Sequence, residues 1–110
     1  MEITKERIRG EGIRFSTVID GKEIGRAFLY ILHNDLHKRS FGFLEDVYID
    51  ESFRGQGIGS QLLAKIINEA RKNKCYKLIA TSRHSRRNVH KLYERLGFKD
   101  QGIEFRLNFS

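Results

Sequence analysis

The sequence predicts an α+β (mixed α/β) fold in which a sheet carries two main helices. Three patterns predict it: apolar alternation on both sides of Asp20-Gly21, a long amphipathic stripe from Ile58, and a second helical stripe that stops at Gly97. At 110 residues, with 39% apolar and 32% charged content, the chain suffices for one core. A single domain over 1–110 is expected, since no proline, internal repeat or low-complexity linker marks a boundary.

The N-terminal stretch Met1 to Gly10 is a candidate short leading strand. From Ile13 to Ile19, Ile13, Phe15 and the Val18-Ile19 pair read as a strand, and Asp20-Gly21 supplies a two-residue hairpin turn into Glu23 to Leu32. The polar stretch His33 to Ser40 is a loop. A third strand, Phe41 to Ile49, places Phe43, Glu45, Val47 and Ile49 on one face and Leu44, Asp46 and Tyr48 on the other if alternation is strict. Leu62, Leu63, Ile66, Ile67 and Ala70 share one face of a helix, with Lys65, Glu69, Arg71 and Lys72 elsewhere. Tyr76 to Ala80 is a short strand, and Val89, Leu92, Tyr93 and Leu96 form a second helical stripe ending at Gly97. Glu104 to Phe109 alternates as a half-buried last strand would.

No apolar run approaches the roughly 20 residues that span a bilayer, and the charged stretch Met1 to Arg9 does not resemble a signal peptide. A soluble, cytoplasmic chain without membrane contact is expected. Cys75 is the one cysteine and cannot form an internal disulfide, while His33, His37, His84 and His90 lack zinc-ligand spacing, so no metal is expected. A formal charge of +7 attracts polyanions: nucleic acid, an acidic protein or a phosphate-rich cofactor. The densest basic run, Arg83-His84-Ser85-Arg86-Arg87, fits a solvated face and an anion site equally well.

The most informative segment is Arg54-Gly55-Gln56-Gly57-Ile58-Gly59-Ser60. It connects a strand ending at Ile49 to a helix starting near Gly57, where unpaired backbone N–H groups suit a phosphate. Glycines at 55, 57 and 59 open the approach, and Arg54 and Gln56 add donors at the rim. Gly-Lys-Ser/Thr is absent, Ser60 stands where a dinucleotide fingerprint has its third glycine, and Ala80-Thr81-Ser82-Arg83 lacks the acidic ribose ligand. ATP and NAD are thereby disfavoured.

Arg54-x-x-Gly57-x-Gly59 after an apolar strand resembles the acetyl-CoA motif of the GCN5-related N-acetyltransferases (GNAT). Downstream, Leu92-Tyr93-Glu94-Arg95-Leu96-Gly97-Phe98 is similar to that family's Leu-Tyr-Glu-Lys-x-Gly-Phe segment. The resemblance covers residues 13 to 109 and implies a mostly antiparallel twisted sheet with a splayed parallel pair in its middle. It also implies acetyl-CoA as cosubstrate and transfer of acetyl to an amine-bearing acceptor, whether small amine, peptide or protein. The backbone of Val47, Tyr48 and Ile49 would pair with the pantetheine arm, and Gly55 to Ser60 would grip the pyrophosphate. Tyr93 would protonate the departing thiolate, as a phenol protonated at neutral pH can. Glu45, on the strand leading into the site, is the candidate base, with an ion pair as its alternative role. His90 reads as solvated and Cys75 as a small packed residue.

Two departures from the family pattern matter. The asparagine found in relatives seven residues before the tyrosine is Arg86 here, with Asn88 two residues later, so Arg86 would reach a cofactor phosphate or Asn88 would substitute. Only Asp20-Gly21-Lys22 separates the first two clear strands, so the usual N-terminal acceptor-side helices are missing and the cleft is either open to a large acceptor or completed by a second copy in a homodimer. Two other readings stay open: a non-catalytic CoA-binding protein, and a basic nucleic-acid-binding or regulatory module, nucleic acid being the less favoured partner.

Overall fold

The computed structural model describes all 110 residues, and its contacts gather into two compact units, 1–80 and 81–110. The first holds strands β1 (Glu11–Ile19), β2 (Lys22–Leu32) and β3 (Phe41–Ile49), helix α1 (Ile58–Lys72) and strand β4 (Leu78–Ala80), with one short 3₁₀ turn, Glu51–Phe53, ahead of α1. The second holds helix α2 (Arg87–Arg95). No helix is long and apolar enough to cross a membrane.

The sheet order is β1-β2-β3-β4, antiparallel through β3 and parallel between β3 and β4. The expected mixed sheet with antiparallel strands and a parallel pair is therefore present. Asp20 (φ 50°) and Gly21 (φ 76°) both occupy left-handed backbone, the geometry of a type I′ hairpin whose twist matches the flanking strands. Ile19 pairs with Lys22 across this turn.

One face of the sheet is covered. Ala27, Leu29, Ile31 and Leu44 point toward α1, whose Leu62, Leu63, Ile66 and Ala70 are buried, as the helical stripe predicts. Gly42 belongs to this layer: a Cβ there would lie 2.9 Å from Leu78 Cδ1 and 3.1 Å from Leu29 Cδ1, so only glycine lets β2, β4 and α1 close together. Helix α1 ends in a Schellman motif, with Cys75 N–H bonded to Ala70 O at 3.0 Å and Lys74 N–H to Arg71 O at 2.9 Å. Lys74 takes the left-handed position, φ 57°, that glycine usually fills.

Three sequence expectations need correction. Met1 to Gly10 forms no strand, and neither does Glu104 to Phe109, where Phe105 and Phe109 are 90% and 93% exposed. A strand needs a neighbour to take up its backbone N–H and C=O groups, and no ladder includes either segment. With nothing pairing beyond β4, the parallel pair forms one edge of the four strands. The third correction concerns β3. Its register with β2 skips between Arg26, opposite Tyr48, and Phe28, opposite Glu45, so that Asp46 and Val47 face the single residue Ala27. This β-bulge, with Asp46 at φ 51°, advances the alternation by one residue. Tyr48 thereby joins Glu45 and Phe43 on the face away from α1, and Ile49 turns to the α1 side, where its Cδ1 lies 2.7 Å from the position of a Cβ on Gly25.

Candidate active site

In the first unit the candidate residues follow one another along β3 and the connection to α1. Strand β4 pairs with β3 only along Gly42, Phe43 and Leu44, which leaves Glu45 to Ile49 with a strand neighbour on the β2 side alone. Asp50 N–H donates to Ile24 O at 2.7 Å on the β2 side, so by alternation the backbone groups of Ile49 face the open side. The segment expected to carry a cofactor arm thus ends in an edge without a strand neighbour, where Ile49 O accepts from the Arg54 side chain.

Beyond it the chain turns sharply. Asp50 caps the 3₁₀ turn by accepting Ser52 N–H at 3.0 Å, and Phe53 N–H bonds back to Asp50 O at 2.9 Å. Gly55 and Gly57 sit at φ 79° and 80°, and a Cβ at either would meet nothing within 4 Å. Glycine is favoured at these two positions by backbone conformation, and the space above them is open. Gly57 is the N-cap of α1 and offers no side-chain cap; the first helical bond is Gln61 N–H to Gly57 O at 3.1 Å. The amides of Ile58, Gly59 and Ser60 therefore lie in the first turn, before the helical ladder begins. The first turn of α1 also holds no acidic side chain to satisfy the positive end of the helix.

Arg54 is exposed, and part of its guanidinium is engaged locally: Nε donates to Ile49 O at 2.8 Å, with the group 5.6 Å from the Tyr48 ring centre. Gln56 is exposed beside it. Arg26 also stands over the Tyr48 ring, at 4.9 Å from its centre. Sequence reasoning missed Arg26, because strict alternation put Tyr48 on the opposite face. Glu45 is half-buried on the face away from α1.

In the second unit Arg86 and Asn88 come together. Arg86 is the N-cap of α2, without a side-chain cap bond, and it lines an open pocket of about 270 Å³ with Ser85, Arg87, Asn88 and Val89. Where the sequence left a choice between Arg86 and Asn88, both border the same hollow. His90 Nε2 lies 2.9 Å from Arg83 O and so ties down the turn before α2, a role more specific than solvation. Tyr93 lies half-buried on α2, its ring 5.2 Å from that of Phe98. Cys75 lies half-buried in the first unit, where burial pushes its thiol up from the ordinary value and keeps it protonated near neutrality.

The acetyltransferase (GNAT) family model matches residues 2–98. The chain belongs to the GNAT family. Among its relatives, glucosamine 6-phosphate N-acetyltransferase of Trypanosoma brucei brucei is 37% identical over 70 residues, 64% of this chain and 46% of that protein. Aminoglycoside N(6')-acetyltransferase type 1 of Stenotrophomonas maltophilia is 29% identical over 103 residues, 90% of this chain and 67% of that protein. Among solved GNAT structures, a Trypanosoma brucei acetyltransferase superposes with a TM-score of 0.75 at 33% identity, covering 81% of this chain and 61% of the other. The chain thus spans about half to two thirds of the length of these relatives.

Proposed function

We propose that the chain is an acetyl-CoA-dependent N-acetyltransferase that moves acetyl directly to a primary amine. The observation that carries this reading is the run from a strand edge without a neighbouring strand, Glu45 to Ile49, into an α1 N-terminus with no side-chain cap. A pyrophosphate fits such a terminus: the open space above Gly55 and Gly57 admits phosphate oxygens to the first-turn amides. The free edge of β3 suits an amide-bearing arm laid alongside as an added strand.

When bound, acetyl-CoA supplies the thioester carbon that the amine nitrogen attacks, with the carbon–sulfur bond broken and acetyl left on nitrogen. Glu45, on the face of β3 away from α1, takes a proton from the amine, directly or through water. An amide at the β3 edge donates to the thioester oxygen as negative charge builds there. Tyr93 gives its phenolic proton to the leaving sulfur, and Arg86 and Asn88 hold a phosphate or the arm near the N-terminus of α2. The reading includes the cytoplasm as location and a homodimer, supported by the free outer edge of β1 and its 57% exposed Val18.

Calorimetric titration with acetyl-CoA, CoA and ATP, followed by thiol release with a panel of amines and lysine peptides, tests it. Both CoA species are expected to bind and ATP to bind far more weakly. Tyr93→Phe is expected to slow thiol release by about 100-fold or more with little change in binding. A chain that binds neither CoA species, or a Tyr93→Phe variant of full activity, would refute the corresponding part.

A further inference from the structure

On the sheet face away from α1, Arg26 makes no ion pair, although its charge acts on Glu23 through space. The bulge at Asp46 and Val47 brings Arg26, Phe28, Glu45 and Tyr48 onto that face, and Arg26 and Glu45 are diagonal neighbours in the ladder. Glu23 is the carboxylate that would otherwise neutralise Arg26. It is already held by Arg14 Nη2, at 2.6 and 2.7 Å to its two oxygens, and by Ser16 Oγ at 2.7 Å. The ion pairs in the chain are Arg14 with Glu23, Lys22 with Asp50 and Arg106 with Glu104, so Arg26 has none. Arg26 is half-buried, with its guanidinium 4.9 Å from the Tyr48 ring centre and no hydrogen bond to the protein. A planar fork of donors held on an aromatic surface, without an acceptor, is prepared for an oxyanion.

We infer that Arg26 reads an anionic group on the acceptor, and that the preferred substrates are short primary amines bearing a phosphate, phosphonate or carboxylate. This rests on the acetyl-transfer reading of Glu45. The amine end goes to Glu45 and the oxyanion to Arg26. Diagonal ladder neighbours lie about 7–8 Å apart, within reach of long side chains, so a short spacer between amine and oxyanion suits the pair. Arg14 stays on Glu23 and leaves Arg26 to the ligand.

The test uses the full chain with CoA or acetyl-CoA and four amines: O-phosphoethanolamine, 2-aminoethylphosphonate, β-alanine and uncharged n-propylamine. Calorimetry with CoA present reads acceptor binding, and thiol release reads transfer. The anionic amines are expected to bind about tenfold or more tighter than n-propylamine, the gain of one charged hydrogen-bonded contact, and the three of them rank phosphate, phosphonate and carboxylate as the source of the oxyanion. Arg26→Gln is expected to collapse the anionic-to-neutral ratio, in binding and in kcat/KM alike. Arg26→Lys, which keeps the charge, restores part of it in a chain whose packing is closer to the original. Equal binding of anionic and neutral amines, binding of neither, or a ratio that survives Arg26→Gln overturns the inference. Arg26-dependent binding without thiol release leaves the recognition standing and refutes acetyl transfer; thiol release at equal rates from all four amines does the reverse.

Discussion

The ring of Phe98 packs against that of Tyr93, 5.2 Å away and tilted by 42°, because the chain between them closes a Schellman motif. Phe98 N–H bonds to Tyr93 O and Gly97 N–H to Glu94 O, both at 3.0 Å, with Gly97 at φ 100°. The Tyr-x-x-x-Gly-Phe spacing thus has a mechanical meaning: the glycine permits the reversal, and the phenylalanine returns onto the tyrosine one helical turn back. Gly97→Ala forces a Cβ into this left-handed turn and is expected to cost about 1–2 kcal/mol, read by denaturant unfolding. Phe98→Ala removes the ring contact, worth about 0.5–1.5 kcal/mol. If the contact orients the Tyr93 hydroxyl, that variant slows thiol release more than it weakens CoA binding.

Lys74→Gly is expected to stabilise the chain. Lys74 holds φ 57° at the end of α1, where an L side chain strains the backbone and glycine does not. After the greater entropy loss of glycine on folding, a net gain of about 0.5–1 kcal/mol remains, and the melting temperature rises by roughly 4 °C. An unchanged or lower melting temperature would contradict the assignment.

Gly57 separates strain from obstruction. Gly57→Ala keeps the space above the loop nearly open while straining φ 80°, and is expected to destabilise by about 1 kcal/mol with a moderate loss of CoA affinity. Gly57→Glu adds a negative charge beside the first-turn amides of α1 and is expected to abolish CoA binding by calorimetry. Equal affinities of the two variants would remove the phosphate from this loop.

Acid lability should report the Glu23 cluster. Hydrogen bonds from Arg14, then from Ser16, hold the Glu23 carboxyl below its ordinary value of 4.5 and outweigh the opposing effect of burial. The folded value is the lower one, so the cluster's contribution is complete above the unfolded value and is lost as pH falls through the folded one. Between about pH 5 and pH 3, the melting temperature is expected to fall further in the parent chain than in Glu23→Gln. Parallel curves would show that the pair contributes nothing measurable, as many exposed pairs do.

Where local chemistry decides structure, the sequence was readable. Asp20-Gly21 permits two consecutive positive φ angles, and the Leu62 to Ala70 stripe needs only one apolar surface to lie against; both appear as expected. The glycine loop was legible for the same reason, although the glycines at 55 and 57 answer to φ rather than to crowding. Alternation alone misled at both ends of the chain. Glu104 to Phe109 has a strand's pattern, yet a pattern states which side chains share a face, and pairing depends on a neighbour that sequence periodicity does not supply. The position of Tyr48 was illegible because the bulge leaves no trace in residue type: Asp46 tolerates a left-handed φ but does not announce one. Arg26 went unnoticed with it.

The bulge has a bearing on how this strand can be compared or redesigned. Up to Glu45 the odd-numbered positions of β3 look away from α1, whereas from Tyr48 onward the even-numbered ones do, so the strand changes parity midway. A gap-free transplant of its second half onto a sheet without the extra residue would exchange Tyr48 with Ile49, dismantling the aromatic seat of Arg26 and driving a phenol against Gly25. Counting residues across Asp46 and Val47 is therefore part of the specification of this surface, as much as the identities of the residues themselves.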